Sequence, residues 1–289
     1  MMNRNDPAEE SALCGPLRPT DPVAMSTKES TPAGTDGTAE RTQTRHRISD
    51  PRAALGLSDR DLAVLGFVAT APFVAQYQIR ERFFRGVSEV PGSRCVRRLL
   101  GLGLILIQRW RNVGINLVRT TEAGHAAAMT YAGLCEEDVF VSRWPSISSL
   151  SHTLWILDAA IAIGELATAE VTPCWALRRR SAGTNQPVPD LLVRTGNGRR
   201  VVILEVDLGT ENLKRVVLPK IDLLRSAAKQ WVTPGSRAAI LILTLGPRRR
   251  ESLVRQIPVG DLQVQVVLLP DAAGGQPAIE GLRKMFSGL

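Results

Sequence analysis

Residues 189–207, PDLLVRTGNGRRVVILEVD, constrain this chain more than any other stretch. Asn197-Gly198 lies between two apolar runs, and that dipeptide is the strongest short-range signal for a two-residue hairpin loop. With those residues as the loop, Gly196 pairs with Arg199 and every later pair is fixed. Leu191 then faces Leu204, and Val193 faces Val202, on one side of the ribbon. Asp190 and Glu205 stand opposite each other on the second side with Leu192 and Ile203, and Asp207 shares their parity. Directly opposed carboxylates repel, so this pair calls for a cation or a strong donor between its members. A bound divalent ion and an ordinary ion-pair network at the rim of a sheet both satisfy that demand.

Strand and helix signals alternate around the ribbon. Trp175–Arg178, Asp190–Arg194, Val201–Asp207, Ala238–Thr244 and Gln263–Leu269 read as strands. Ser151–Ala167, Glu211–Trp231 and Arg249–Ile257 read as helices. The alternation predicts an α/β domain whose central mixed sheet joins an antiparallel hairpin to crossover-linked strands. Within 211–231, Leu213, Val217, Ile221 and Leu224 form an apolar stripe, and Lys220 falls inside it. Lys220 should therefore face the sheet, where its ammonium needs a carboxylate, with Asp207 and its neighbours nearest. Pro219 can shift that phase by a residue or two.

Upstream, residues 1–50 are rich in Pro, Thr, Ser, Glu and Gly and lack hydrophobic periodicity, which predicts a disordered arm. Ser58 caps a helix with Asp59 and Asp61 in its first turn and Leu62, Leu65 and Ala69 on one face. Ala75–Phe84 reads as a second helix, and a third begins near Ser93 after the turn signal VPGS. On it Cys95, Val96, Leu99 and Leu100 make an apolar face, opposite Ser93, Arg94, Arg97 and Arg98. Two aliphatic runs joined by Arg111-Asn112-Val113-Gly114 form a hairpin, and Thr121 opens a fourth helix. Helix, helix, helix, hairpin, helix is the order of an α+β winged helix, whose third helix enters the DNA major groove. Arg94, Arg97, Arg98, Arg109 and Arg111 are then the candidate DNA contacts; the competing readings are a solvated helix face and a protein-interaction module. The expected organisation is an arm over 1–50, a winged-helix domain over 51–135, a linker over 136–150 and the α/β domain over 151–289.

Charge favours a polyanionic partner. The net charge is +8, and 51–134 alone holds eleven Arg against five acidic residues. Cys14, Cys95, Cys135 and Cys174 are widely spaced with no CxxC pair and no signal-peptide pattern, so neither a zinc site nor a secreted disulfide framework is indicated and a reducing cytoplasm is the simpler reading. No apolar run reaches the roughly 20 residues needed to span a bilayer, so a membrane partner is not expected.

The helix order, the Ser151-His152 helix, Pro189-Asp190 and above all LEVDLGTENLKR resemble the bacterial replication-relaxation family over roughly Leu57–Thr244. Glu205–Thr210 is the most specific part of that resemblance and the winged helix the most generic. The resemblance implies a winged helix followed by a restriction-endonuclease-like domain similar to the PD-(D/E)xK nucleases, in a protein of plasmid or integrated mobile-element replication, relaxation or transfer. Its implied partners are double-stranded DNA and other replication or transfer proteins; the oligomeric state stays open. By the same resemblance Asp190 and Glu205 would hold magnesium, which polarises the scissile phosphate and supplies hydroxide. The nuclease pattern places Lys two residues after the Glu, where this chain has Asp207. Lys220, or less favourably Lys214, would replace that ammonium, giving Asp190, Glu205, Asp207 and Lys220 as the catalytic set; otherwise the domain keeps the fold without cutting. His152 could contact phosphate, although a lone helical His is more often structural, and Tyr77 and Tyr131 are not placed as covalent nucleophiles. Three functions follow: a DNA-binding replication or transfer protein with a nuclease-like domain, an active magnesium-dependent nickase or nuclease, and a winged-helix transcriptional regulator.

Overall fold

The computed structural model describes residues 55–110, 114–140, 144–166, 169–180, 186–270 and 276–287. The expected arm over 1–50, with Cys14, lies outside the described residues. From Leu55 onward the chain forms one compact unit.

Its first part is α1 (Asp59–Ala69), β1 (Val74–Ala75), α2 (Gln76–Phe83), α3 (Glu89–Gly101), β2 (Ile105–Trp110), β3 (Ile115–Thr120) and α4 (Glu122–Ala132). Ser58 caps α1 by accepting from the amide of Asp61, whose carboxylate in turn accepts from the Ser58 amide. The three strands form an antiparallel sheet in the order β1-β3-β2. Helix α3 begins at Glu89 rather than near Ser93, so the VPGS signal lies inside it. Pro91 is tolerated there because first-turn amides have no intrahelical acceptor to lose. Cys95, Val96 and Leu99 are buried as expected, whereas Leu100 is exposed. Thr121 caps α4, which packs so closely that a Cβ on Gly124 would stand 1.9 Å from the Leu104 carbonyl oxygen.

The second part comprises α5 (Ile147–Gly164), β4 (Glu170–Pro173), α6 (Cys174–Arg180), β5 (Leu191–Thr195), β6 (Arg200–Asp207), α7 (Leu218–Ala227), β7 (Arg237–Thr244), α8 (Pro247–Gln256), β8 (Gln263–Leu268) and α9 (Gln276–Phe286). The mixed sheet runs β4-β5-β6-β7-β8, with two antiparallel pairings followed by two parallel ones. Its hairpin register runs from Leu191 opposite Leu204 to Thr195 opposite Arg200, as the Asn197-Gly198 loop dictates. Both loop residues adopt the positive φ that such a turn requires, 56° at Asn197 and 83° at Gly198.

Three elements differ from expectation. Trp175–Arg178 is part of helix α6 and the edge strand lies before it, because Pro173 has no amide to continue the ladder and Trp175 instead donates its indole N–H to the Thr70 carbonyl at 2.8 Å. The helix expected over 211–231 is segmented: Leu213–Val217 form a π-helical turn, α7 starts with Pro219 in its first turn, and Ala228–Gln230 close it as a 3-10 turn. Proline cannot sit in a helix interior without losing a bond, and here the chain restarts the helix at that point. Helix α9 was not anticipated; it packs along α5.

The core crosses the boundary expected at 136–150. Leu65, Leu99 and Val118 of the first part belong to the same buried cluster as Trp155 and Ala159 of α5, Leu204 and Leu241 of the sheet, and Leu282 of α9. A second cluster on the other sheet face joins Ile203 and Ile240 to Ile221 and Leu224 of α7 and Leu253 of α8. The junction is also polar. Asp158 of α5 is fully buried and accepts from the Tyr77 hydroxyl at 3.0 Å and the Gln78 amide at 2.7 Å. Burial pushes its pKa up to about 7 in spite of those donors. Arg283 of α9 bridges Glu81 of α2, at 2.9 Å, and Glu165, at 2.7 Å, beyond the end of α5.

Candidate functional site

Asp190 ends the loop before β5, and Glu205 lies on β6 directly across the hairpin. The Asp190 amide donates to Glu205 Oε1 at 3.3 Å, and the Val206 amide donates to Asp190 Oδ2 at 2.8 Å. Both carboxylates are buried. Lys220 of α7 donates its ammonium to Glu205 Oε2 and lies 3.8 Å from Asp190 Oδ1. The apolar stripe of α7 does aim Lys220 at the sheet, and its partners are Glu205 and Asp190 rather than Asp207.

His152 on α5 completes the cluster. Its Nε2 lies 3.1 Å from both Asp190 Oδ2 and the Val206 carbonyl oxygen. Burial alone would raise both carboxyl pKa values. At Asp190 the His152 hydrogen bond and the Lys220 charge outweigh it and hold the group below the usual range. At Glu205 burial and the charge of Asp190 win over Lys220 and push the group well above it. Burial works against the Lys220 ammonium, but the charges of Glu205 and Asp190 override it and raise its pKa; at His152 the bond to Asp190 does the same. Two opposed carboxylates thus share one ammonium, and Glu205 is the harder of the two to ionise.

Asp207 lies apart from this cluster. Arg249 of α8 grips it with Nε at 2.7 Å from Oδ2 and Nη2 at 3.1 Å from Oδ1. The Gly209 amide and Thr244 hydroxyl also donate to it, at 3.0 and 3.3 Å. These bonds pin the loop after β6, where Gly209 takes a φ of 74°. Lys214 lies exposed on the π-helical turn and makes no ion pair among the described residues.

The basic face of α3 divides in a similar way. Arg94 and Arg97 are exposed and make no ion pair among the described residues, and Arg109 is exposed on β2. Arg98 is instead paired with buried Asp61, the residue that completes the α1 cap. Arg111 lies outside the described residues. Tyr77 packs at the Asp158 junction and Tyr131 against the main core.

The Replication-relaxation family model matches residues 65–223, from the middle of α1 into α7 and across every member of the carboxylate cluster. The chain belongs to this family. Among solved structures, this family member is similar to the SdaI restriction endonuclease, at 8% identity over 74% of this chain and 88% of that one, with a TM-score of 0.28. The transcriptional regulator SlyA matches 36% of this chain and 75% of its own at 22% identity and a TM-score of 0.25. Lactococcus lactis ZitR, as a C30AH42A mutant, matches 28% of this chain at 22% identity and a TM-score of 0.24, and the chain spans about half of ZitR's length, 55%. The chain matches none of the curated proteins. No helix among the described residues is long and apolar enough to cross a membrane, and Cys95 and Cys174 are free thiols.

Two contacts escaped the sequence. His152 is singled out on its helix by the family resemblance, but its bond to Asp190 spans 38 residues, and only the phase of α5 against an unseen sheet would have disclosed it. Arg249 sits in the run PRRRE, which reads as a solvated face until β7 is placed parallel to β6 and delivers α8 beside Asp207.

Proposed function

We propose that the protein binds double-stranded DNA through α3 and the β2–β3 hairpin, in the replication, relaxation or transfer of a plasmid or another mobile element, and cuts one strand at a divalent-cation site built on Asp190 and Glu205. The observation that carries this reading is the ammonium of Lys220, set against both carboxylates from α7 although the place two residues after Glu205 is an aspartate. Membership of the family supports the link to replication. The helix and hairpin order around α3, with Arg94, Arg97 and Arg109 exposed, supports the link to duplex DNA.

The donor set suits a hard cation. Among the described residues no group of three or more His, Cys, Asp or Glu side chains is arranged as a metal cage. Magnesium rarely uses one; it keeps its waters and binds through one or two carboxylates together with substrate phosphate oxygens. Asp190 and Glu205, whose opposition leaves Glu205 hard to ionise, are the pair that would hold it. Bound there, the cation would polarise a phosphodiester and lower the pKa of a water. The protein's own groups do the rest. His152 and the Val206 amide fix Oδ2 of Asp190, which leaves Oδ1 on the side of Lys220. Lys220, about a third exposed, can reach the incoming phosphate and stabilise charge that develops on its oxygens.

The test is nicking of supercoiled DNA with and without magnesium. The unaltered protein should convert it to open circles only with the metal. Glu205→Gln should lower that rate at least about 100-fold, the scale set by losing a charge-stabilising group, while duplex affinity in the absence of metal stays the same. An unaltered protein that binds duplex but never nicks would overturn the cutting centre and leave a DNA-binding protein with a structural ion-pair network.

A further inference from the structure

Beside the carboxylate cluster, the lip of the sheet is basic. Across 211–215 and 247–251 five Lys and Arg oppose two Glu. Arg249 differs from the rest. By holding Asp207 through two bonds and the Glu211 carbonyl through a third at 3.0 Å, it cancels the Asp207 charge and fastens the loop after β6 to the first turn of α8. Lys214 and Arg215 follow directly on that loop, and Arg248 precedes the latch residue on α8. All three are exposed and pair with no carboxylate among the described residues. A surface that only keeps a protein soluble interleaves its signs; here the acids are outnumbered and the nearest buried one is already neutralised. The lip also lies at the carboxyl ends of the parallel strands β6 and β7, where open α/β sheets take their ligands.

We propose that Lys214, Arg215 and Arg248 form a second phosphate-binding surface, distinct from α3, that seats the sugar–phosphate backbone of DNA flanking the phosphodiester presented to Lys220. The proposal rests on the cutting site described above for its orientation, but not for its existence. The bonds of Arg249 hold the lip in place before DNA arrives, so its ordering is not charged against binding. Contacts of this kind are blind to sequence and carry a salt dependence.

The experiment measures the affinity of the full chain for a duplex across a range of salt concentrations, without divalent cations, for the unaltered protein, Arg215→Ala with Arg248→Ala, and Arg215→Lys with Arg248→Lys. The alanine pair should lower the slope of log affinity against log salt by about 1.8, two contacts at about 0.9 each. Its affinity should fall at least about tenfold near physiological salt. The lysine pair should keep the slope, and urea midpoints should coincide because neither side chain makes an ion pair among the described residues. An unchanged slope in the alanine pair, or an equal loss in the lysine pair, would overturn the surface. Failure of the unaltered protein to nick DNA would remove the cutting centre without touching this result, since the salt slope is read without metal.

Discussion

Arg94 and Arg97 on α3 stand in solvent with no carboxylate partner among the described residues, whereas Lys220 on α7 stands against the sheet with its ammonium on Glu205 and near Asp190. The charges of the three-stranded region act at a distance, through water, and need no fixed geometry. Those at the end of the five-stranded sheet act at contact, in a buried place where each group sets the ionisation of the next. Under the function proposed above, one region gathers a long polyanion and the other handles a single phosphate. Helix α5 belongs to both: Leu150 and Leu154 pack on Phe73 and Leu117 of the first region, and His152 between them reaches Asp190 of the second.

That sharing is most exposed at Asp158. A carboxyl raised from 3.8 to about 7 in the folded chain contributes stability that is complete below the unfolded value and is lost as pH rises through about 7. The difference amounts to about 4 kcal/mol. Asp158→Asn keeps an acceptor for Tyr77 and Gln78 and cannot ionise. Stability of the variant relative to the unaltered chain should therefore climb by roughly that amount between pH 4 and pH 8 and level off above it. Urea unfolding across that range, followed by probes in both regions, reads the effect. Parallel pH profiles would show that Asp158 is not a buried joint, and two separate transitions would divide the regions that the common core unites.

The next effect belongs to the carboxylate cluster alone. Lys220→Met keeps the aliphatic packing of α7 and strands two buried carboxylates. We expect a loss of about 3 kcal/mol, the low end for breaking a buried pair, because the Lys220 side chain is 35% exposed. The loss should shrink on acidification, since Glu205, pushed up by burial and by the charge of Asp190, then takes a proton. A variant as stable as the parent at every pH would mean that the carboxylates find another partner.

How much of this was readable in the chain follows the reach of each interaction. Asn197-Gly198 fixes a register, and the register places Asp190 against Glu205, because every step is local and has a period of two. The stripe that carries Lys220 was readable for the same reason, and Pro219 altered the start of its helix without turning its face. Asp207 shares the parity of Glu205, yet parity says nothing of what a parallel crossover brings beside a strand end, and Arg249 arrives by one. The joint at Asp158 hides for a related reason, since its donors are about 80 residues away and its own neighbours in sequence are apolar.

The smallest effect separates the residues of α3, which looked equivalent as a basic face. Arg97 is exposed and unpaired among the described residues, while Arg98 bonds to Asp61, whose carboxylate also closes the α1 capping box. Arg97→Ala should lower the salt slope of duplex binding by about 0.9 and leave stability within about 0.5 kcal/mol, as a surface change does. Arg98→Ala should do the reverse. It removes a partner from a buried carboxylate that keeps its bonds to Ser58, so the expected cost is about 1 kcal/mol in stability, with the slope nearly unchanged. Salt titrations and urea midpoints on the two single variants decide the matter. If Arg98→Ala flattens the slope as much as Arg97→Ala, the ion pair with Asp61 opens on DNA binding, and the contrast between paired and solvated charges no longer holds on α3.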